Sequence, residues 1–276
     1  ELPEVETIKR DLEKLVLGLK ITQVIIHDAR VIQHQIKGKF EDQLKGLTII
    51  KITRRAKALV IQFDRQRYLV VHLKMTGQMI YGEDLKQTQK LKETKVVFKL
   101  SNGKYLNYND QRLFGRLICT DDLQKVSYLN KLGPEPLEKE FTSSWLIATV
   151  KELSKRRKTA IKVQLLDQTF IAGIGNIYAS EILFDAKVNP QKRLHHLNQD
   201  ELRRIHKSTI NVLNEAIKQR GTSMRNYRDS AGEKGNFMKM IKVYGREHEG
   251  CVSCQSLIQR ISQAQRSTFY CAACQR

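Results

Sequence analysis

The chain has 276 residues, enough for two domains and a sizeable core, and its 41% apolar and 7% aromatic residues exclude a disordered or fibrous protein. Its 49 Lys and Arg against 29 Asp and Glu give a net charge of +20 and a pI near 9.8, a field that selects polyanions, nucleic acid ahead of an anionic membrane surface. No apolar run reaches membrane-spanning length and no signal-peptide pattern opens the chain, so the expectation is a soluble, cytosolic protein.

Residues 1–18 read as a helix. Val5, Ile8, Leu12, Leu15 and Val16 form one stripe, Glu4 and Glu6 suit the first turn, and Gly18 stops it. From about 20 to 120 the pattern changes to strands, at 21–26, 47–53, 58–63, 68–73, 95–100, 105–108 and 116–119. Ser101-Asn102-Gly103 is a hairpin turn, and 64–67 reads as another. Strands this close together predict an antiparallel sandwich. The polar, Lys- and Gln-rich stretch 81–94 reads as an exposed loop, and Cys119, in an apolar run, as a buried free thiol.

Gly133-Pro134-Glu135-Pro136 marks a boundary, since two prolines in three residues break helix and strand alike. Beyond it Trp145, Ile147, Ala148, Val150 and Leu153 populate a helix. The basic run Arg156-Arg157-Lys158 then opens a second, with Ile161, Leu165 and Leu166 at helical spacing. It gives way at Asp167 to a loop holding Gly173 and Gly175. Asn176 starts the next helix, with Ile177, Ile182 and Leu183 apolar and Glu181 on a polar position. Amides freed at that helix start suit an anion, a nucleic-acid phosphate in so basic a chain; the bland reading is a tight helix–helix turn that binds nothing. A longer helix runs from about 199 to 219, with Asn198 as N-cap and Glu201 completing a capping box. The Gly-, Ser- and Arg-containing stretch 221–237 lacks apolar periodicity and reads as a mobile loop.

Cys251, Cys254, Cys271 and Cys274 are spaced C-x2-C-x16-C-x2-C. Two such pairs complete a four-sulfur tetrahedral shell, which predicts one zinc ion. A closed shell leaves no open position, so that zinc is structural; two disulfides are the rival reading. Between the pairs, 257–261 and 267–270 form a hairpin with its tip at 262–266.

These residues coincide with one family. ELPEVET at the start, RRAK at 54–57, HLKMTG at 72–77, RLFG at 112–115, LGPEP at 132–136, GIGNIYASE at 173–181 and the QRSTFYC finger follow in register along the whole chain. The chain resembles the bacterial formamidopyrimidine-DNA glycosylases (Fpg or MutM, of the Fpg/Nei family). The related endonuclease VIII enzymes read Glu-Gly-Pro-Glu where this chain has Glu-Leu-Pro-Glu. The resemblance implies an α+β multidomain fold. An N-terminal helix and β-sandwich would span 1–132, a linker 133–137, a helix-two-turns-helix domain 138–238 with its lesion loop at 221–237, and a zinc finger 239–276.

It also implies removal of oxidised purines from duplex DNA by a monomer. The base is flipped, a Schiff base forms with the N-terminal amine, and both phosphates are eliminated. Glu1 matches the acid that protonates the opening sugar. Glu4 matches a carboxylate that orients the amine or caps the helix. Lys57 and Arg266 match the phosphate-bound residues of the first and second eliminations. Met75, Arg112 and Phe114 match the wedge, with Leu113 where the family carries a second basic residue. Lys158 and Asn176 match phosphate contacts; His72 reads either as a further donor or as a satisfied core histidine. Thr222, Met224, Arg225, Asn226 and Tyr227 match the loop that reads the extruded base. The family's proline would stand just before Glu1 and is absent from the sequence, which predicts a missing, processed or modified proline; the alternative is a primary amine on Glu1 that forms the Schiff base itself. Glu93-Thr94-Lys95 replaces a His-x-His pair, so that contact is lost or taken over by Lys95. Two alternatives remain: a lesion binder that lost its nucleophile, and an oxidised-pyrimidine glycosylase of the endonuclease VIII type.

Overall fold

The computed structural model describes residues 1–34, 36–83, 93–222 and 235–276. By internal contact the chain divides into two compact units. Residues 3–131 and 219–238 form a sandwich unit; residues 1–2, 132–218 and 239–276 form a helical unit. The 219–238 segment therefore groups with the sandwich, and the finger with the helices.

In the sandwich unit, α1 (Leu2–Val16) lays Val5, Ile8, Leu12 and Val16 into the core. Gly18, at φ +81, ends it. Two sheets follow. One has the order β1 (Ile21–Ile26), β7 (Thr94–Leu100), β8 (Tyr105–Asp110), β6 (Gly77–Gly82). The other has the order β2 (Ile32–His34), β9 (Arg116–Thr120), β5 (Arg67–His72), β4 (Ala58–Phe63), β3 (Ile49–Arg55). Ile52, Leu59, Val71 and Leu117 from one sheet meet Met79, Val96, Phe98 and Leu106 from the other in a single apolar core. A short helix, α2 (Phe40–Leu44), adds Phe40 and Leu44. The outer face of the second sheet is covered by Leu123 and Val126 and by Leu129 of α3 (Ser127–Asn130).

The sandwich is not wholly antiparallel, since β2 runs parallel to β9. β2 and β6 also lie outside the strands expected from pattern. β6 carries Met79, Ile80 and Tyr81 in an unbroken run between two glycines, with no alternation, and its Tyr81 and Gly82 fall in the stretch expected as a loop. Of that loop, 84–92 lies outside the described residues. The three-residue turn between β4 and β5, Asp64 to Gln66, holds Arg65 and Gln66 at φ +56 and +53 without any glycine.

In the helical unit, α4 (Ser143–Ser154) starts where Thr142 Oγ1 accepts the Trp145 amide at 3.0 Å. The basic run does not open the next helix but closes α4. The amides of Arg156 and Arg157 bond the Leu153 carbonyl, and their cations meet the negative end of the α4 dipole. α5 (Ile161–Leu165) is only five residues long. α6 (Asn176–Asp185) and α7 (Gln199–Lys218) follow. At α7 the Glu201 amide donates to Asn198 Oδ1 at 2.9 Å and the Asn198 amide to Glu201 Oε2 at 3.0 Å, the reciprocal capping box. Glu181 is not on a polar face. It is 3% exposed and accepts the amides of Lys242, Val243 and Tyr244 at 2.8–3.0 Å, tying α6 to the root of the finger. The finger strands β10 (Gln259–Gln263) and β11 (Arg266–Tyr270) run further than expected and turn through Ala264 and Gln265 alone, at φ +48 and +61.

Candidate nucleic-acid interface

The first residues of the chain are built into the start of α6. The Leu2 amide donates to the Gly173 carbonyl at 3.1 Å. Glu1 Oε1 accepts the Ile177 amide at 3.1 Å and Oε2 the Tyr178 amide at 3.3 Å. Two glycines make this possible. Gly173 sits at φ +88, where a Cβ would stand 2.6 Å from Leu2 Cδ1; a Cβ on Gly175 would stand 2.2 Å from Glu1 Cδ. The anion expected at this helix start is thus supplied by the chain itself, as the Glu1 carboxylate. Local pattern could not show it, because the partner lies at the other end of the sequence.

One residue along, Asn176 joins α6 to the finger. Its Oδ1 accepts from Lys162 Nζ at 2.7 Å, and its Nδ2 donates to the Ser267 carbonyl at 2.9 Å and to Tyr244 Oη at 3.2 Å. Lys162 also donates to the Ser267 carbonyl at 3.1 Å and to Thr268 Oγ1 at 2.7 Å. It is fully buried, and burial, with the Arg266 charge, holds its ammonium down to about 8 against the pull of Glu1. Sequence reasoning missed Lys162. The available signal was a lone lysine inside the apolar stripe of Ile161 and Leu165. Lys158 and Arg266 are exposed.

The four cysteine sulfurs all lie within 4.8 Å of one another, with Cys251–Cys274 at 3.9 Å and Cys254–Cys271 at 3.5 Å. Zinc–thiolate bonds of ~2.3 Å place tetrahedral sulfurs about 3.8 Å apart, so this donor set fits one zinc ion with no position left open. The fifth cysteine, Cys119, is buried in β9, and burial pushes its thiol up to about 12.

The sandwich unit holds the remaining candidates. Lys57 occupies the two-residue turn between β3 and β4, beside Ala56 at φ +52. Arg54 braces this turn by donating to the Ala56 carbonyl at 3.0 Å and to Glu6 Oε2 at 3.0 Å. Met75 and Phe114 are 68% and 50% exposed at loop tips, and the Arg112 guanidinium stands 4.6 Å from the Phe114 ring centre. Leu113, at φ +58, turns inward against the core, which accounts for an apolar residue there. Lys95 is 8% exposed in β7, so it does not offer an exposed ammonium in place of the absent histidine pair.

His72 Nδ1 accepts the Lys74 amide at 3.1 Å, which places the ring proton on Nε2. Burial, then the charges of Lys74 and Lys57, lower its pKa to about 3, so the ring is neutral. Glu4 is buried, and its Oε1 accepts the Thr222 amide at 2.7 Å. It therefore grips the root of the segment carrying Met224, Arg225, Asn226 and Tyr227, four residues that lie outside the described residues.

No helix among the described residues is long and apolar enough to cross a membrane. Family models match three stretches: "Formamidopyrimidine-DNA glycosylase N-terminal domain" over residues 1–117, "Formamidopyrimidine-DNA glycosylase H2TH domain" over 132–228 and "Zinc finger found in FPG and IleRS" over 249–276. A formamidopyrimidine-DNA glycosylase of Desulforamulus reducens is 43% identical, covering 100% of this chain and 99% of its own. The Thermus thermophilus MutM (Fpg) crystal structure superposes with a TM-score of 0.87 at 34% identity, over 100% of this chain and 98% of that one. Lactococcus lactis Fpg in complex with DNA containing an abasic site superposes with a TM-score of 0.89 at 33% identity, over 100% and 99%.

Proposed function

The chain belongs to the formamidopyrimidine-DNA glycosylase family, and on that premise we propose how its own residues perform the reaction. It is a DNA glycosylase of base-excision repair with abasic-site lyase activity, acting on duplex DNA. One structural zinc ion holds the finger strands through Cys251, Cys254, Cys271 and Cys274. It works as a monomer in the bacterial cytoplasm.

Met75, Arg112 and Phe114 enter the stack and hold the space of the extruded oxidised purine, with Arg112 facing the orphaned cytosine. The N-terminal amine, on a proline preceding Glu1 in the family's chemistry, attacks C1′ of the sugar. The base leaves and an iminium remains. Glu1 protonates the opening sugar oxygen. The iminium acidifies C2′, and the two phosphates then leave in turn, with Lys57 at the first and Arg266 at the second. Lys158 and Asn176 hold neighbouring phosphates, Asn176 by its backbone amide, since both Nδ2 protons are given to the Ser267 carbonyl and Tyr244 Oη. His72, being neutral, contributes at most its Nε2–H. Glu4 anchors the loop that reads the base through the backbone at 222–227.

The observation that carries this reading is the seating of Glu1. Two amides of α6 fix its carboxylate, and the same contacts would seat a proline joined to its amine, so acid and nucleophile would come as one preorganised piece. Borohydride trapping on an 8-oxoguanine:cytosine duplex, followed by mass mapping of the adduct, tests it. The expected adduct lies on the N-terminal peptide. Tight binding to abasic-site DNA without any adduct would replace catalysis by a non-catalytic lesion binder. Faster excision of thymine glycol than of 8-oxoguanine would move the substrate to oxidised pyrimidines.

A further inference from the structure

The two loop tips that bear Met75, Arg112 and Phe114 are tied together beneath the surface by one carboxylate. We propose that Asp110 is a positioning residue that locks loops 73–77 and 110–115 into a single rigid wedge before DNA arrives. This inference rests on the glycosylase reading above and adds to it a residue that touches neither DNA nor the reacting sugar.

Asp110 ends β8 and is fully buried. A buried carboxylate is tolerated only when donors surround it, and here four do. Thr76 Oγ1, from one loop, donates to Oδ1. From the other loop the Arg112 amide donates to Oδ1 at 3.2 Å and the Gly115 amide to Oδ2 at 2.8 Å. Tyr108 Oη, from the strand between them, donates to Oδ2 at 3.3 Å. The Arg112 amide is shared with Thr76 Oγ1 at 3.1 Å, so the loops also bond to each other directly. Burial and the Asp110 charge keep the Tyr108 phenol protonated, as a donor.

The backbone is cut to fit this knot. A Cβ on Gly115 would stand 1.7 Å from Tyr108 Oη and 3.0 Å from Asp110 Oδ2; one on Gly77 would stand 2.4 Å from the Leu73 carbonyl and 2.9 Å from the same phenol. Lys74 and Leu113 adopt left-handed backbone at φ +53 and +58, one in each loop. Loops with left-handed residues and two bare glycines are not held in shape by local preference. The buried carboxylate fixes that shape, and the outcome is a pair of exposed apolar tips whose spacing is set in advance. A wedge must act as a unit: if either tip drifts, the flipped state loses its filler and the base returns to the stack.

The test separates wedge geometry from sugar chemistry. An abasic site in a single-stranded oligonucleotide has no partner strand and no stack to hold open, so its cleavage needs the amine and acid but not the wedge. In Asp110→Asn the side chain keeps its shape but turns one acceptor into a donor facing other donors. Single-turnover excision from an 8-oxoguanine:cytosine duplex should fall by about 10- to 100-fold, the penalty for ångström-scale misplacement. Cleavage and borohydride trapping on the single-stranded abasic site should stay at the wild-type level. The fluorescence rise of 2-aminopurine beside the lesion, which reports unstacking, should shrink in step with the duplex rate. Thr76→Val should show the same split more weakly, and Thr76→Ser, which keeps the hydroxyl, should restore the wild-type values; this pair decides the matter if Asp110→Asn does not fold. Equal losses on both substrates, or no loss on the duplex, would overturn the proposal. Wild-type protein inert on both substrates would instead sink the glycosylase reading.

Discussion

Lys162 Nζ lies 2.7 Å from Asn176 Oδ1 and 2.7 Å from Thr268 Oγ1, so one buried ammonium joins the start of α6 to the strand that begins at Arg266. Lys162→Met removes that joint and leaves polar atoms without their donor. Each such group costs about 1–3 kcal/mol, and the variant should lose about 2–4 kcal/mol of unfolding free energy in a denaturant titration. The ammonium is also a pH device. The folded protein binds its proton only to about pH 8, whereas an ordinary lysine holds it to 10.5. Between those values the unfolded chain carries more protons, so the contribution of this site to stability rises with pH across that window. That gain is relief of the buried charge, and it comes with one contact given up, since a neutral amine has two protons for the three acceptors Asn176 Oδ1, Ser267 O and Thr268 Oγ1. Wild-type DNA affinity measured from pH 7 to 9 should show a downward step near 8 that Lys162→Met lacks. Parallel profiles in the two proteins would refute this role.

Zinc removal should act through the same strands. The finger has a small core of its own, Val243, Ile258, Phe269 and the buried sulfurs of Cys251 and Cys271 against Phe184. Without metal the sulfurs take up protons, nothing draws the two Cys-x-x-Cys turns together, and that core loses its organising contacts. Chelation should abolish lesion-DNA binding, because the tip no longer presents Arg266, and added zinc should restore it. Full binding by the metal-free protein would show that the finger is not part of the DNA-binding surface.

Local pattern carried the elements whose determinants are near in sequence. The Asn198–Glu201 box, the CxxC pairs, the Asn102-Gly103 hairpin and the exposure of Met75 and Phe114 beside their glycines all follow from a few adjacent residues. What escaped was long-range or sparse. Strand β6 offered three consecutive apolar residues between glycines and so no alternation. The parallel pairing of β2 with β9 joins segments some eighty residues apart. The α6 amides are filled by Glu1, and Glu181 is buried against Lys242, Val243 and Tyr244; both acids look like surface residues until the chain has folded back. Periodicity reports which face an element buries, and says nothing about which distant group a charged side chain will meet.

Glu6 links α1 to the turn that carries Lys57. Its side chain is 13% exposed and pairs with Arg54, itself 8% exposed. Burial works to raise the Glu6 pKa, but hydrogen bonds from Arg10 and Arg54 and the charge of Lys9 outweigh it and hold the carboxyl below its usual range. A depressed carboxylate contributes stability above its unfolded pKa, and that contribution is lost as pH falls through the folded value. Glu6→Gln should therefore be less stable than wild type at pH 7, by about 2–4 kcal/mol for so nearly buried a pair, with the gap closing as pH falls below about 4. With Arg54 released, the Lys57 turn loosens. The first elimination should slow while borohydride trapping persists, because Glu6 does not touch the amine. A variant that traps and eliminates at wild-type rates would show that the turn needs no brace.

His72 supplies a prediction of opposite character, an absence of titration where a histidine near DNA invites one. Its Nδ1 accepts the Lys74 amide and its ring meets the Tyr128 ring edge-on at 5.0 Å. Burial first, then the charges of Lys74 and Lys57, bring the pKa to about 3. The unfolded chain takes up this proton near pH 6.5 and the folded one does not, so the stability gained by keeping His72 neutral falls away as pH is lowered from about 6.5 to 3. His72→Asn keeps an acceptor for Lys74 and should flatten that part of the stability profile. In DNA binding, each added phosphate contact by a cation steepens the salt dependence by about 0.9 in log–log slope. The slope should change equally between pH 8 and pH 6 in wild type and His72→Asn. An extra steepening of about one in the wild type alone would make His72 a cationic phosphate contact, and the neutral ring seated on the Lys74 turn would be the wrong assignment.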